Sequence, residues 1–211
     1  MKKLIVMLLS GVLFFAGCTT TSSTSSTTST KVETLSEQYK ELPEDNQFYT
    51  MEKDSVKTFL EHGTGVLLLS FPGCPWCQAY INQLNDVLVA NKLKAAYYNI
   101  RVDKDDDRTF YDEVSELIQN LNETGEDIIQ YDNDGKPVIY MPLVLFVENG
   151  KIVAFDNETS MISSDEVTPE EYWSEDKKKA LNEKLNTASA SVKELQDAND
   201  AKGCDTGCKV E

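Results

Sequence analysis

Two cysteines separated by two residues, in the stretch Phe71-Pro72-Gly73-Cys74-Pro75-Trp76-Cys77, constrain this chain more than any other feature. They follow the apolar run Val66-Leu67-Leu68-Leu69 and lead into Gln78-Ala79-Tyr80-Ile81-Asn82-Gln83-Leu84-Asn85-Asp86-Val87-Leu88. In that second segment apolar residues recur at steps of three and four, so the order predicted is strand, tight turn, helix. Cys74 then sits at the N-terminus of the helix. Unpaired N–H groups and the positive end of the helix dipole favour thiolate over thiol there. Cys77, one turn in, lies within disulfide reach.

The remaining chain reads as one α/β domain built around that unit. With 211 residues and 40% hydrophobic content it can bury one good core. Gln47-Phe48-Tyr49 is a short strand, and Thr50 caps a helix over Met51 to Glu61 that buries Val56, Phe59 and Leu60 and stops at Gly63. His62, the sole histidine, falls at that helix end, where a cation meets the negative dipole end; its reading is structural. Lys94 to Asp103 is a second core strand. The acidic run Asp103 to Asp107 is a solvated loop, because a calcium loop would need its bidentate Glu where Val114 stands and also lacks its turn glycine. Phe110, Val114, Leu117, Ile118 and Leu121 form one stripe of a helix over Asp107 to Leu121. Asn122 to Lys136 is polar, with a turn at Asp132-Asn133-Asp134-Gly135. From Tyr140-Met141-Pro142 to Phe155 come two strands joined by Glu148-Asn149-Gly150-Lys151, a hairpin signature. Thr168-Pro169-Glu170-Glu171 is a strong helix start, and Leu181, Leu185, Ala188, Val192 and Leu195 continue a long C-terminal helix with a break expected near Asn186 to Ser189.

The two ends carry different signals. Met1-Lys2-Lys3 and the apolar run to Phe15 form a secretory leader too short for a comfortable membrane span. Thr19 to Thr30 is entirely Ser and Thr, a flexible stalk without chemistry of its own, and Lys31 to Glu44 is polar. The formal net charge is −16, and losing Lys2 and Lys3 with the leader makes the mature chain more acidic still. Such a surface repels nucleic acid and anionic headgroups. The organisation expected is a leader over 1–17, a tethering segment over 18–46, the domain over 47–190, and a helix end with a cysteine tail over 191–211.

Apart from Cys18, the cysteines are Cys74, Cys77, Cys204 and Cys208. The local pairing, Cys74 with Cys77 and Cys204 with Cys208, closes the shortest loops, and other pairings exist on paper. A zinc site would want its second cysteine pair much nearer the first than Cys204 is to Cys77. A structural staple at Cys74 and Cys77 would constrain little unfolded-chain entropy in so short a loop. Redox chemistry is the remaining reading. Cys204 and Cys208 either pin the C-terminus or relay electrons to Cys74. The reading calls for no metal and no cofactor.

At this point the residues resemble the thioredoxin superfamily over approximately Gln47 to Leu185. The likeness rests on the apolar strand before Cys74-Pro75-Trp76-Cys77, the helix that motif opens, the strand ending in Asp103, and Met141-Pro142 ahead of the hairpin. The resemblance implies a central mixed β-sheet flanked by helices, enlarged by a helical segment between Asp103 and Pro142, with a long C-terminal helix. It implies that Pro142 is cis and packs beside the cysteine pair, that Met141 offers its backbone to an extended substrate, and that Trp76 shields or presents the disulfide. Thioredoxins proper carry a buried acid six positions before the first cysteine; Leu68 stands there. Ala16-Gly17-Cys18 resembles a lipobox, in which Cys18 is lipidated and becomes the new N-terminus. The closest likeness in kind is to thioredoxin-like lipoproteins of Gram-positive bacteria, including bacteriocin transport accessory proteins.

These likenesses imply a thiol-disulfide oxidoreductase anchored outside the cell membrane. Its partners would be cysteine-containing secreted or surface proteins and a redox partner protein, with no nucleic acid. The alternative is a non-enzymatic accessory lipoprotein that lends the same fold to an exporter.

Overall fold

Strands that are apolar at every position, not alternately, predict a sheet covered on both faces, and the computed structural model has that form. It describes residues 33–162 and 167–201. In chain order the elements are α1 (Leu35–Gln38), β1 (Phe48–Thr50), α2 (Lys53–His62), β2 (Gly65–Leu69), α3 (Pro75–Asn91), β3 (Ala95–Tyr98), α4 (Arg101–Asp105) and α5 (Thr109–Leu121). There follow β4 (Gln130–Tyr131), β5 (Pro137–Val138), β6 (Leu143–Glu148), β7 (Lys151–Asp156), a 3-10 turn, α6 (Pro169–Tyr172) and α7 (Glu175–Ala201).

Five strands form a mixed sheet in the order β1-β3-β2-β6-β7. The β1, β3 and β2 strands run parallel, and β6 and β7 are antiparallel to their neighbours. Every residue of β2 is buried. Val66 and Leu68 join Ala95, Tyr97, Val144 and Phe146 under α1, α3 and α7. Leu67 and Leu69 join Ala96, Tyr98, Leu143 and Leu145 under α2 and α5. The period of two along each strand therefore splits the core into two layers. Among the described residues no helix is long and apolar enough to cross a membrane.

Several local expectations are corrected. The second strand ends at Tyr98, not Asp103, because the Asn99 side chain accepts the Arg101 N–H at 3.2 Å and turns the chain into α4. The acidic run is thus partly helical, and Asp103 is buried, accepting from Tyr98 Oη at 2.7 Å and pairing with Lys53 Nζ at 2.6 Å. The N-cap position of α2 is Glu52, which makes no side-chain capping bond, and Thr50 belongs to β1. Thr168 and Glu171 do form a capping box, yet α6 ends after one turn and α7 begins afresh at Glu175. That interruption lets Trp173 bury itself. No break occurs near Asn186 to Ser189: α7 is continuous, with Leu181, Leu185, Ser189 and Val192 on its buried face.

The domain also begins before residue 47. Leu35, Tyr39 and Leu42 are buried in the layer under α3, and the compact unit begins at Glu33. Side chains on one face of α3 hold this segment by its backbone: Gln78 Oε1 accepts from Lys40 N (2.8 Å), Gln78 Nε2 donates to the Gln38 carbonyl (2.9 Å), and Asn85 Oδ1 accepts from Gln47 N (2.9 Å). Satisfying backbone groups in this way is what allows an irregular segment to lie against a core.

Candidate active site

The β2 strand and α3 deliver the cysteine pair as the spacing predicts. Cys74 is the N-cap of α3 and Pro75 occupies its first turn, where a missing N–H costs nothing. Cys74 Sγ accepts the Cys77 N–H at 3.1 Å. Across the site, the Cys74 thiol faces the carbonyl of Met141 at 3.7 Å, and the Met141-Pro142 bond is cis. Met141 is half-buried and Pro142 buried. The hairpin of β6 and β7 thereby places Met141 and Pro142 against the first turn of α3, although 67 residues separate Cys74 from Met141.

Both sulfurs are free thiols, and they differ sharply in surroundings. Cys74 retains 7% of its exposure, whereas Cys77 has none. The hydrogen bond from Cys77 to the Cys74 sulfur holds the Cys74 thiol below its ordinary value, helped by the N–H groups of Cys77 and Trp76 and opposed by burial. Burial pushes the Cys77 thiol far up, and the neighbouring Cys74 sulfur adds to the rise. A pair so divided has one sulfur suited to attack and one that acts only after the first has reacted.

Trp76 is turned into the fold. It is 8% exposed and packs edge-on to Tyr172 of α6 with ring centroids 5.5 Å apart, and Tyr172 in turn meets Trp173 at 5.0 Å. The open rim of the site consists of Gly73 and Pro75, the half-buried Phe71 with the Arg101 guanidinium 5.3 Å from its ring, and exposed Tyr140 beside Met141. His62 precedes β2 while the cysteines follow it, so the two lie at opposite ends of that strand. Cys18, Cys204 and Cys208 fall outside the described residues. Among the described residues, no group of three His, Cys, Asp or Glu side chains is placed to hold a metal ion.

Sequence reasoning missed a set of buried hydroxyls. Ser70, immediately after β2, is wholly buried and offsets a little of the rise that burial imposes on the Cys77 thiol. The Ser70 hydroxyl is 2.8 Å from Tyr39 Oη, which is 3.0 Å from Tyr97 Oη. The available signal was the spacing Leu35, Tyr39, Leu42, at steps of four and three within a segment otherwise read as tether.

Compared with family models, with curated proteins and with solved structures, the chain matches none.

Proposed function

We propose that this chain is a thioredoxin-like thiol-disulfide oxidoreductase, tethered outside a cell membrane through lipid on Cys18 and acting on cysteine-containing secreted or surface proteins. The observation that carries the reading is the unequal sulfur pair at the start of α3: a low-lying Cys74 thiol fed by the Cys77 N–H, against the carbonyl of Met141. A mixed five-stranded sheet with the pair at the C-terminal end of β2, and a cis proline opposite, supports the finer fold assignment. The leader and Ala16-Gly17-Cys18 support the location.

The reaction runs through a mixed disulfide. The Cys74 thiolate attacks one sulfur of a substrate disulfide, and the other substrate sulfur leaves with the electron pair. Cys77 then displaces the second substrate sulfur from Cys74, closing the Cys74–Cys77 disulfide. Run backwards, the same steps oxidise a substrate dithiol. The free N–H of Met141 lies on a half-buried residue next to the reacting sulfur, a place where an extended peptide can add backbone hydrogen bonds.

Alkylation of the reduced protein across pH is the deciding experiment. Cys74 is expected to react with a midpoint clearly below the roughly 8.5 of a free thiol, with Cys77 unreactive, and the protein should exchange disulfides with a reduced or scrambled test protein. A Cys74 midpoint at or above the free-thiol value, without exchange, overturns the reading and leaves the accessory-module alternative.

A further inference from the structure

The loop that presents Cys74 is a Pro-Gly turn. The Cys74 N–H donates to the Phe71 carbonyl at 3.2 Å, so Pro72 and Gly73 are the two central residues of a β-turn that closes on Cys74. Proline followed by glycine at those places is the composition of a type II turn, which needs a positive φ at the second of them. Gly73 does not take one. The Pro72–Gly73 peptide is thus held in an orientation that its own residues do not select.

Gln78 is placed to hold it. From one turn into α3, its Nε2 donates to the Pro72 carbonyl at 2.7 Å and to the Gln38 carbonyl at 2.9 Å, while its Oε1 accepts from the Lys40 N–H at 2.8 Å. Both amide hydrogens are used. The partners fix which way the amide faces, because turning it over would set its oxygen against two carbonyls. Gln38 and Lys40 belong to the N-terminal segment, itself locked by the buried Leu35, Tyr39 and Leu42 and by Asn82, whose Nδ2 donates to the Lys40 carbonyl at 3.2 Å. Fastening that segment takes only the bonds to Gln38 and Lys40. The third bond reaches back to the half-buried Pro72, whose carbonyl water can serve. Holding the segment does not account for it, and holding the turn does.

Resting on the redox reading above, we propose that Gln78 is a positioning residue: braced by the N-terminal segment, it keeps the Pro72–Gly73 peptide from turning over and so sets the direction in which the chain enters Cys74. In a type II turn that peptide plane is reversed, and the Pro72 carbonyl leaves Gln78. Cys74 stands next in the chain as the N-cap of α3, with φ −93° and ψ 117°, and its sulfur accepts the Cys77 N–H at 3.1 Å. A loosened entry weakens that bond and the thiolate stabilisation it supplies. The titratable group facing Cys74 is Cys77 of the same helix, and what reaches it from the hairpin side is the Met141 backbone carbonyl. Replacing Gln78 alters neither, so its effect on Cys74 runs through the turn.

The test is a double-mutant cycle on the reduced full chain carrying Cys18→Ser, Cys204→Ser and Cys208→Ser, alkylated with iodoacetamide across pH and read at Cys74 by mass spectrometry. Gln78→Met nearly keeps the size of the side chain and removes all three bonds. In the parent background it is expected to slow Cys74 alkylation at neutral pH about threefold and to raise its pH midpoint. The second background is Gly73→Ala, which disfavours the positive φ of a type II turn. The added methyl there meets Phe71 ring atoms at 3.5 Å and 3.6 Å, ordinary contact distances. In that background the same Gln78→Met change should have little effect, whereas a Gln78 that merely supports the fold acts equally in both. An unchanged or lowered midpoint in the parent background, or the same shift in both backgrounds, overturns the proposal. Were Gln78→Met not to fold, Gln78→Glu, which keeps the bond from Lys40 and when ionised donates nothing to Pro72, takes its place, with the difference between the two backgrounds deciding. A parent protein whose Cys74 alkylates at the midpoint of a free thiol and exchanges no disulfide defeats the redox reading instead.

Discussion

Cys74 and Cys77 belong to one helical turn yet differ as if they came from separate sites. The difference arises because one sulfur accepts helix N–H groups and the other is sealed beneath the first turn. Two variants follow from it. Cys77→Ser should accumulate a stable mixed disulfide with substrate, visible as a reducible adduct on a gel, and Cys74→Ser should form none. The buried phenols give a second outcome at this scale. Tyr39, Tyr80 and Tyr97 all have their ionisation raised, by burial first of all. In the unfolded chain they ionise near about 10, so the unfolded state sheds protons first as pH rises. Stability is thus complete below that value and is lost progressively above it, toward the folded value of about 12 for Tyr97. Urea midpoints followed with tyrosinate absorbance should fall together from there. The cysteines were legible in the sequence because they sit in a short motif whose geometry is local, and Met141 and Pro142 were pointed to by the resemblance alone. Tyr39, Ser70 and Tyr97 were not legible, since their hydroxyls meet across 31 and 58 residues and nothing local marks them.

Elements were legible where periodicity or turn chemistry was strong, and illegible where a single side chain redirected the backbone. The hairpin Glu148-Asn149-Gly150-Lys151 is the clear success. Asn149 and Gly150 both take positive φ, 49° and 77°, as a two-residue hairpin turn requires. Gly150 also donates to the Gly63 carbonyl at 3.0 Å, and a Cβ there would run into the backbone carbonyl of Glu61. Gly150→Ala is therefore expected to cost about 3 kcal/mol, from strained backbone and a clash that no rotamer relieves, measured by chemical denaturation. The N-terminal segment teaches the opposite lesson. Its composition is polar, yet Leu35, Tyr39 and Leu42 insert as a set once Gln78 and Asn85 supply partners for its backbone. Tyr39→Ala should lose about 3 to 5 kcal/mol, the range for removing a buried aromatic. A truncation starting at residue 47 should be less stable again, and urea midpoints of the two against the full chain would show it. Asn99 in the turn before α4 and Trp173 between α6 and α7 are further places where one residue overrode a longer pattern.

At the scale of the molecule, the proposed location rests on the N-terminal residues and the proposed chemistry on the sheet that positions the cysteine pair. If Cys18 carries the anchor, Cys18→Ala should move the protein from the membrane fraction to the medium without changing the alkylation behaviour of Cys74, a result read by fractionation and blotting. A mixed sheet flanked by helices was what the resemblance implied, and the unbroken burial of β2 agrees with it; the assignment of helices to faces was not legible, because it depends on the order in which distant strands pair. That assignment divides labour. The α1, α3 and α7 layer holds both thiols, and the α2 and α5 layer holds neither; its buried polar groups are satisfied locally, Ser115 donating to the Tyr111 carbonyl at 2.8 Å and Asp103 accepting from Tyr98 Oη at 2.7 Å. For anyone building with this scaffold the sheet is a bulkhead. A fluorophore, an affinity handle or a surface attachment placed on the exposed Glu116 or Gln119 of α5 would sit on the opposite face of the sheet from the cysteines and leave their chemistry as it is.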